Sequence, residues 1–263
     1  MPKVNEIVSY FSALVPPEMK MDFDNVGLLV GINDAEVTRV LVALDITAEV
    51  IDEAVSLGAQ LICSHHPMFF DLKQVNDDNP TGKKIIKLLQ NGISALCQHT
   101  NLDSVSGGVN DALAAKLGVC CDGALEGPFF THTGAEYGMG RYGMLRAPVD
   151  FMEYLSFVKH SLGTAGLRYH NAGKPVCKLA LCGGSGGEFV EKAVRLGCDT
   201  LVTADIKYDR FLTAKELGLN LIDADHFCTE NVVVPVLSDM LKKGFPELDV
   251  IIAKSAQQTA NFF

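Results

Sequence analysis

Adjacent histidines close a short apolar run at Ser64-His65-His66-Pro67. Consecutive strand residues point to opposite faces. Pro67, however, restricts His66 to extended geometry, and at a strand end the chain can turn both imidazoles toward one cavity. In His226-Phe227-Cys228-Thr229-Glu230, the His and Glu are spaced i and i+4 and share a face if a helix begins there. Such a pair can hold one metal or sit on two. His99-Thr100-Asn101-Leu102-Asp103 ends in a short carboxylate that can bridge two cations or cap the segment after it. Each motif alone also fits an ordinary core or surface residue. Together they offer imidazoles that suit Zn, Fe, Ni or Mn, plus carboxylates that suit harder ions. A catalytic zinc takes about three protein ligands. The five groups His65, His66, Asp103, His226 and Glu230 suit two ions roughly 3.5–4 Å apart.

A recurring unit positions these groups. Residues 51–66 read as a helix, then Leu57-Gly58, then a short apolar strand ending in His65-His66. Residues 190–205 repeat this up to Asp205, and residues 212–226 up to Asp223-Ala224-Asp225-His226. A fourth copy over 84–97 leads to Gln98-His99. Glycine at a helix end takes the left-handed conformation that stops the helix. A near-continuous apolar strand suits a parallel sheet covered by helices, and in such sheets ligands bind beyond the carboxyl ends. His66, Asp205 and His226 each fall eight residues after their glycine, and His99 seven after its own. The offsets predict side chains at similar heights on the sheet.

Val4, Ile7, Val8, Phe11 and Leu14 fit one face of an N-terminal helix. A strand over 39–44 ends at Asp45 and feeds a helix from Ala48. The glycines of 128–146 predict turns and antiparallel strands, followed by a helix over 148–162 and further α/β structure from Val176. The expected fold class is α/β: two packed α/β lobes with mixed, largely parallel sheets and the metal site between them. The first lobe spans residues 1–125, joined by 227–263, and the second spans 126–226.

Asp24-Asn25-Val26-Gly27, Ser64-His65-His66-Pro67, and the segments 99–103, 138–143 and 223–230 together resemble the Nif-three-like family, also known as GTP cyclohydrolase 1 type 2 homologues. The resemblance covers essentially the whole chain, in order. It implies His65, His66, Asp103, His226 and Glu230 as ligands of two divalent ions (Zn, Fe, Mn or Ni), with His99 beside them. It implies a metal-dependent hydrolase acting on a nucleotide-like small molecule, and a homohexameric toroid built as a trimer of dimers. Asp24 and Asn25 are candidate substrate contacts, or simply a turn. Asp209 stands where many relatives carry His; an acid there can still hydrogen-bond to substrate or water, so it joins His99 as a catalytic candidate. Longer relatives carry an inserted domain midway, and this chain resembles the short form.

Composition narrows the function classes. The chain has 263 residues, 48% of them hydrophobic, which supports a sizeable core. Lys plus Arg number 22 and Asp plus Glu 32, a net charge of −10. Nucleic-acid binding needs cation clusters, and no such cluster occurs, so no nucleic-acid partner is expected. Nothing resembles a targeting segment or a membrane span of about 18 apolar residues. The eight cysteines include no C-x-x-C and read as reduced thiols of a cytoplasmic protein.

Two other functions compete. One is a metal-binding or interaction oligomer without catalysis. The other is a serine hydrolase, because Gly183-Gly184-Ser185-Gly186-Gly187 satisfies G-x-S-x-G between a strand over 178–182 and a helix. Asp205, Asp209 or Asp223, with His226, would complete its chain order. That reading explains neither His65 nor His66. Residues 250–252 and Phe262-Phe263 are candidates for burial between subunits or lobes.

Overall fold

The recurring helix–glycine–strand unit is built as its spacing predicts. In the computed structural model, which describes residues 1–262, the strands are β1 (Gly27–Val30), β2 (Arg39–Ala43), β3 (Leu61–Ser64), β4 (Ser94–Cys97), β5 (Cys120–Gly123), β6 (Glu126–Phe130), β7 (Glu136–Met139), β8 (Arg141–Val149), β9 (Arg168–His170), β10 (Val176–Ser185), β11 (Thr200–Ala204), β12 (Asn220–Asp223) and β13 (Asp249–Ile252). The helices are α1 (Val4–Leu14), α2 (Ala48–Leu57), α3 (Pro80–Gln90), α4 (Thr100–Ser104), α5 (Val109–Lys116), α6 (Phe151–Leu162), α7 (Val190–Arg195), α8 (Tyr208–Leu217), α9 (His226–Glu230) and α10 (Val234–Gly244). Gly58 (φ 63°) stops α2 and Gly218 (φ 65°) stops α8, both in the left-handed conformation that costs glycine least. The next strands, β3 and β12, are buried along their whole length.

The chain divides into two units. The first comprises residues 1–102 and 233–257. Its five-stranded sheet has the order β1-β4-β3-β2-β13, parallel from β4 through β13, with β1 antiparallel at one edge. On one face Val50, Ile51 and Ala54 of α2 and Ile85 and Leu88 of α3 pack against Leu41, Ala43, Ile62 and Ala95. Each fully buried Leu or Ile contributes roughly 1.5–3 kcal/mol. α10 packs against β2 and β13. Residues 250–252 are therefore edge-strand residues bonded to β2, half-buried or exposed.

The second unit comprises residues 103–232 and the chain from 258. Its six-stranded sheet has the order β5-β8-β10-β11-β12-β9, parallel over β10, β11 and β12 and antiparallel elsewhere. Leu113 and Leu117 pack with Phe151, Tyr154 and Val158 of α6 in one cluster, and Val190 and Ala193 of α7 with Ala214 of α8 in another. The glycine-rich segment runs through the small ribbon β6–β7 and on into β8. Phe262 is 49% exposed, and Phe263 lies outside the described residues.

Two details differ from the expectation. The boundary falls at 102/103 rather than near 125, because α5 packs on β10 and β5 pairs with β8; the returning segment begins at 233 rather than 227. The four repeated units divide between the two sheets as the lobe assignment implies: β3 and β4 belong to the first, β11 and β12 to the second. The helix expected over 148–162 starts at Phe151, because β8 runs through Pro148 to Val149 and the Asp150 carboxylate caps the helix by accepting from the Met152 and Glu153 amides.

Candidate metal centre

In the first unit, β3 ends at Ser64, and His65 and His66 follow in the turn; β4 ends at Cys97, and His99 immediately precedes α4. These parallel neighbours bring the three imidazoles together. Ring centroids are 5.0 Å apart for His65–His66, 5.2 Å for His65–His99 and 5.5 Å for His66–His99. One nitrogen from each ring lies within 4.8 Å of the others, a group able to hold a metal ion.

Each ring is oriented through Nδ1. His65, fully buried, uses Nδ1 on the Gln98 carbonyl at 2.9 Å. A carbonyl can only accept, so Nδ1 carries the proton and Nε2 is the nitrogen with a lone pair able to serve as a ligand. His66 Nδ1 meets Asp45 at 2.8 Å, and His99 Nδ1 meets Asp24 at 2.8 Å. Carboxylate or carbonyl partners on the far nitrogen are the usual way a protein fixes a metal-binding imidazole.

Asp24 is 6% exposed, and its carboxylate also accepts from the Asn25 amide and from the amide and hydroxyl of Thr100. Its place is therefore behind His99 and at the start of α4. Asn25 donates from its side chain to the Phe69 carbonyl at 3.0 Å. Burial raises the Asp24 pKa, but the hydrogen bonds from His99 and Thr100 and the His99 charge outweigh it and bring it down to about 2.

A carboxylate whose folded pKa is depressed stabilises above its unfolded value, here near 3.8, and that contribution is lost as pH falls toward about 2. The difference is worth about 2 kcal/mol at neutral pH. Asp24→Asn should therefore lower the urea midpoint at pH 7, and its gap to the parent should narrow between pH 4 and pH 2.5. An unchanged gap across that window would remove the assignment.

In the second unit, α9 begins at His226 as the i, i+4 spacing requires, capped by the Asp225 carboxylate on the Cys228 amide. His226 meets Asp205 through Nδ1 at 2.7 Å and Glu230 through Nε2 at 2.9 Å. Burial opposes its charge, but hydrogen bonds to Glu230 and Asp205 and their negative charges outweigh that and push its pKa up to about 9. The surroundings are thus built to hold positive charge at this point. Asp205 (φ 51°) and Asp225 (φ 72°) both sit at positive φ, strain that accumulates where geometry is functional.

Asp103 and Glu230 are 7% and 4% exposed, and a carboxylate oxygen of one lies within 4.8 Å of one of the other. Two buried carboxylates this close repel unless a cation or proton is shared. The same negative field, after burial itself, holds the Cys182 thiol well above its usual pKa.

Asn110 ties this region together. Its amide donates to the Asp103 carbonyl and its oxygen accepts from the Gly183 amide, both at 2.9 Å. The Gly184 amide donates to Thr229 Oγ1 at 3.0 Å, and the Thr203 hydroxyl donates to the Gly184 carbonyl at 3.0 Å. A Cβ on Gly184 would meet Glu230 Oε1 at 2.0 Å, so this glycine run is a backbone cradle for Glu230. Ser185, the serine of the G-x-S-x-G match, is exposed, and among the described residues its hydroxyl makes no hydrogen bond. Both nitrogens of His226 are engaged by carboxylates. Asp209 is exposed on the first turn of α8 beside Arg210, at 3.5 Å, and joins neither cluster.

Asp45, Asn110, Thr203 and Thr229 are site residues that motif reading missed, whereas the sequence already places Asp205 at a strand end and pairs it with His226. Asp45 carried one signal, since it ends the additional strand over 39–44. The family model for Duf34/NIF3 (NGG1p interacting factor 3) matches residues 2–260. The chain belongs to the DUF34/NIF3 family. It is 36% identical over 263 residues to a GTP cyclohydrolase 1 type 2 homolog of Clostridium perfringens, covering 99% of both chains. Among solved structures it is similar to a hypothetical protein of Staphylococcus aureus (TM-score 0.92, 29% identity, 99% of each chain). A Bacillus cereus protein related to NIF3 is similarly close (TM-score 0.90, 27% identity, 100% of this chain and 99% of that one). No helix among the described residues is long and apolar enough to cross a membrane.

Proposed function

We propose that this DUF34/NIF3 chain is a cytoplasmic metal-dependent hydrolase acting on a nucleotide-like small molecule. Its proposed ligands are His65, His66, Asp103, His226 and Glu230, holding two divalent ions drawn from Zn, Fe, Mn or Ni. The observation that carries this reading is the donor chemistry: pre-oriented imidazoles in one unit, and a close pair of buried carboxylates with an acid-held His in the other. Neutral imidazole with carboxylate suits these transition metals. Such ions supply a nucleophilic water of near-neutral pKa and polarise the bond under attack.

The chain's own residues orient and move protons. Asp45 and Asp205 fix His66 and His226, and His99, held at Nδ1 by Asp24, is the group proposed to pass a proton at Nε2. The substrate class draws on relatives named GTP cyclohydrolase 1 type 2 homologs. A closed homohexamer is part of the proposal, read out by light scattering.

The test is metal content per chain, by elemental analysis of untagged protein purified without chelators. Close to two ions per chain, lost in His66→Ala and His226→Ala with assembly mass unchanged, is the expected result. No metal, with no uptake of added Zn, Mn or Fe, would overturn it. Asp45→Ala and Asp205→Asn should each weaken metal binding by roughly 10–100-fold in a chelator competition, the usual cost of losing the partner of a ligating imidazole. Ser185→Ala should change neither metal binding nor turnover.

A further inference from the structure

Phe23 and Phe70 are 62% and 55% exposed, yet their rings are held as a pair with centroids 5.9 Å apart and planes tilted by 60°. Phe70 also lies 5.8 Å from the His99 ring. His99 in turn touches His65 and His66. The five rings form a continuous row within the first unit, from solvent to the three-imidazole group.

Both phenyl groups are carried by backbone that the site already holds. Phe23 precedes Asp24, whose carboxylate grips His99 and Thr100. Phe70 follows Phe69, whose carbonyl accepts from the Asn25 side chain. Exposed phenyl surface is costly in water, in proportion to its area. A flat π-system laid against it recovers that area and adds stacking.

We propose that Phe23 and Phe70 form a stacking platform for a planar heteroaromatic ring of the substrate, an inference that rests on the hydrolase reading above. A phenyl platform reads planarity rather than a hydrogen-bond pattern, since every base has a π-face. That agrees with a sequence carrying no guanine-reading or P-loop motif.

The experiment uses metal-loaded protein, with guanosine and ribose 5-phosphate as probes in equilibrium dialysis. Metal content and assembly mass are measured on the same samples of parent, Phe23→Ala, Phe70→Ala and Phe70→Tyr. The parent should bind guanosine. Each alanine variant should raise the guanosine Kd about tenfold, and Phe70→Tyr should preserve it. Ribose 5-phosphate binding, metal content and mass should not move. Unchanged guanosine affinity in both alanine variants overturns the platform, as does equal weakening toward both probes. A parent that holds metal but no guanosine also overturns it, while leaving the metal centre intact. A change in assembly mass would reassign the pair to contacts between copies of the chain. A parent without metal would sink the hydrolase reading instead, and the guanosine comparison would still decide the platform.

Discussion

Replacing Arg141 by leucine is expected to lower the unfolding free energy by about 3–5 kcal/mol, the cost of breaking a buried charged pair from one side. Arg141 is 6% exposed and stands in the middle of Gly138-Met139-Gly140-Arg141-Tyr142-Gly143. A guanidinium has five N–H donors, and all five are used. Nε and Nη2 reach the two Asp111 oxygens at 2.7 and 3.0 Å, Nη1 reaches the Gly138 and Gly140 carbonyls at 2.8 and 2.7 Å, and Nη2 reaches the Val105 carbonyl at 3.1 Å. One side chain therefore joins α5, the turn between β7 and β8, and the chain leaving α4. Leucine would leave Asp111 and three carbonyls without these donors. Lysine keeps the charge but not the fork, so it should recover only part of the loss. In a chain of this size the leucine variant should melt roughly 6–20 °C lower. A fall of less than about 3 °C would mean that water replaces the guanidinium at little cost, and the network would have no structural weight.

What could be read from sequence was local. Helix, glycine and strand follow one another at short range, so the four repeats, the start of α9 at His226 and the antiparallel strands of 138–143 were all legible. The order and register of the strands within each sheet were not, because they depend on long-range pairing. β13 joins β2 through pairs such as Asp249 with Arg39, a register that no nearby residue encodes. Partners of the imidazoles were hidden for the same reason. Asp24 lies 75 residues from His99, and in the sequence it reads equally as a turn residue or a substrate contact; only its burial and four hydrogen bonds make it a positioning group. The glycine run at 183–187 shows the opposite case. Its spacing satisfies a nucleophile motif, while its physical role in the structure is to let Glu230 approach a backbone without Cβ atoms.

That role makes Gly184→Ala the sharpest test of the candidate centre. Gly184 has φ +63°, where alanine costs roughly 1–2 kcal/mol. The new Cβ would lie 2.0 Å from Glu230 Oε1, 2.9 Å from its Cδ and 3.2 Å from His226 Cε1. Glu230 has little room to yield. It is 4% exposed, on a five-residue helix capped by Asp225 and tied through Thr229 to the Gly184 amide itself. The carboxylate must swing away, which breaks its 2.9 Å contact with His226 Nε2. A methyl group that touches no solvent-facing surface should therefore weaken metal binding on the order of 10–100-fold, with a modest loss of stability and an unchanged circular dichroism spectrum. Gly187→Ala is the control. Its Cβ would meet Arg210 Cγ at an ordinary 3.5 Å, and it should bind metal like the parent. If both variants bind metal equally well, Glu230 is not held where the centre needs it, and the glycine run returns to being a turn.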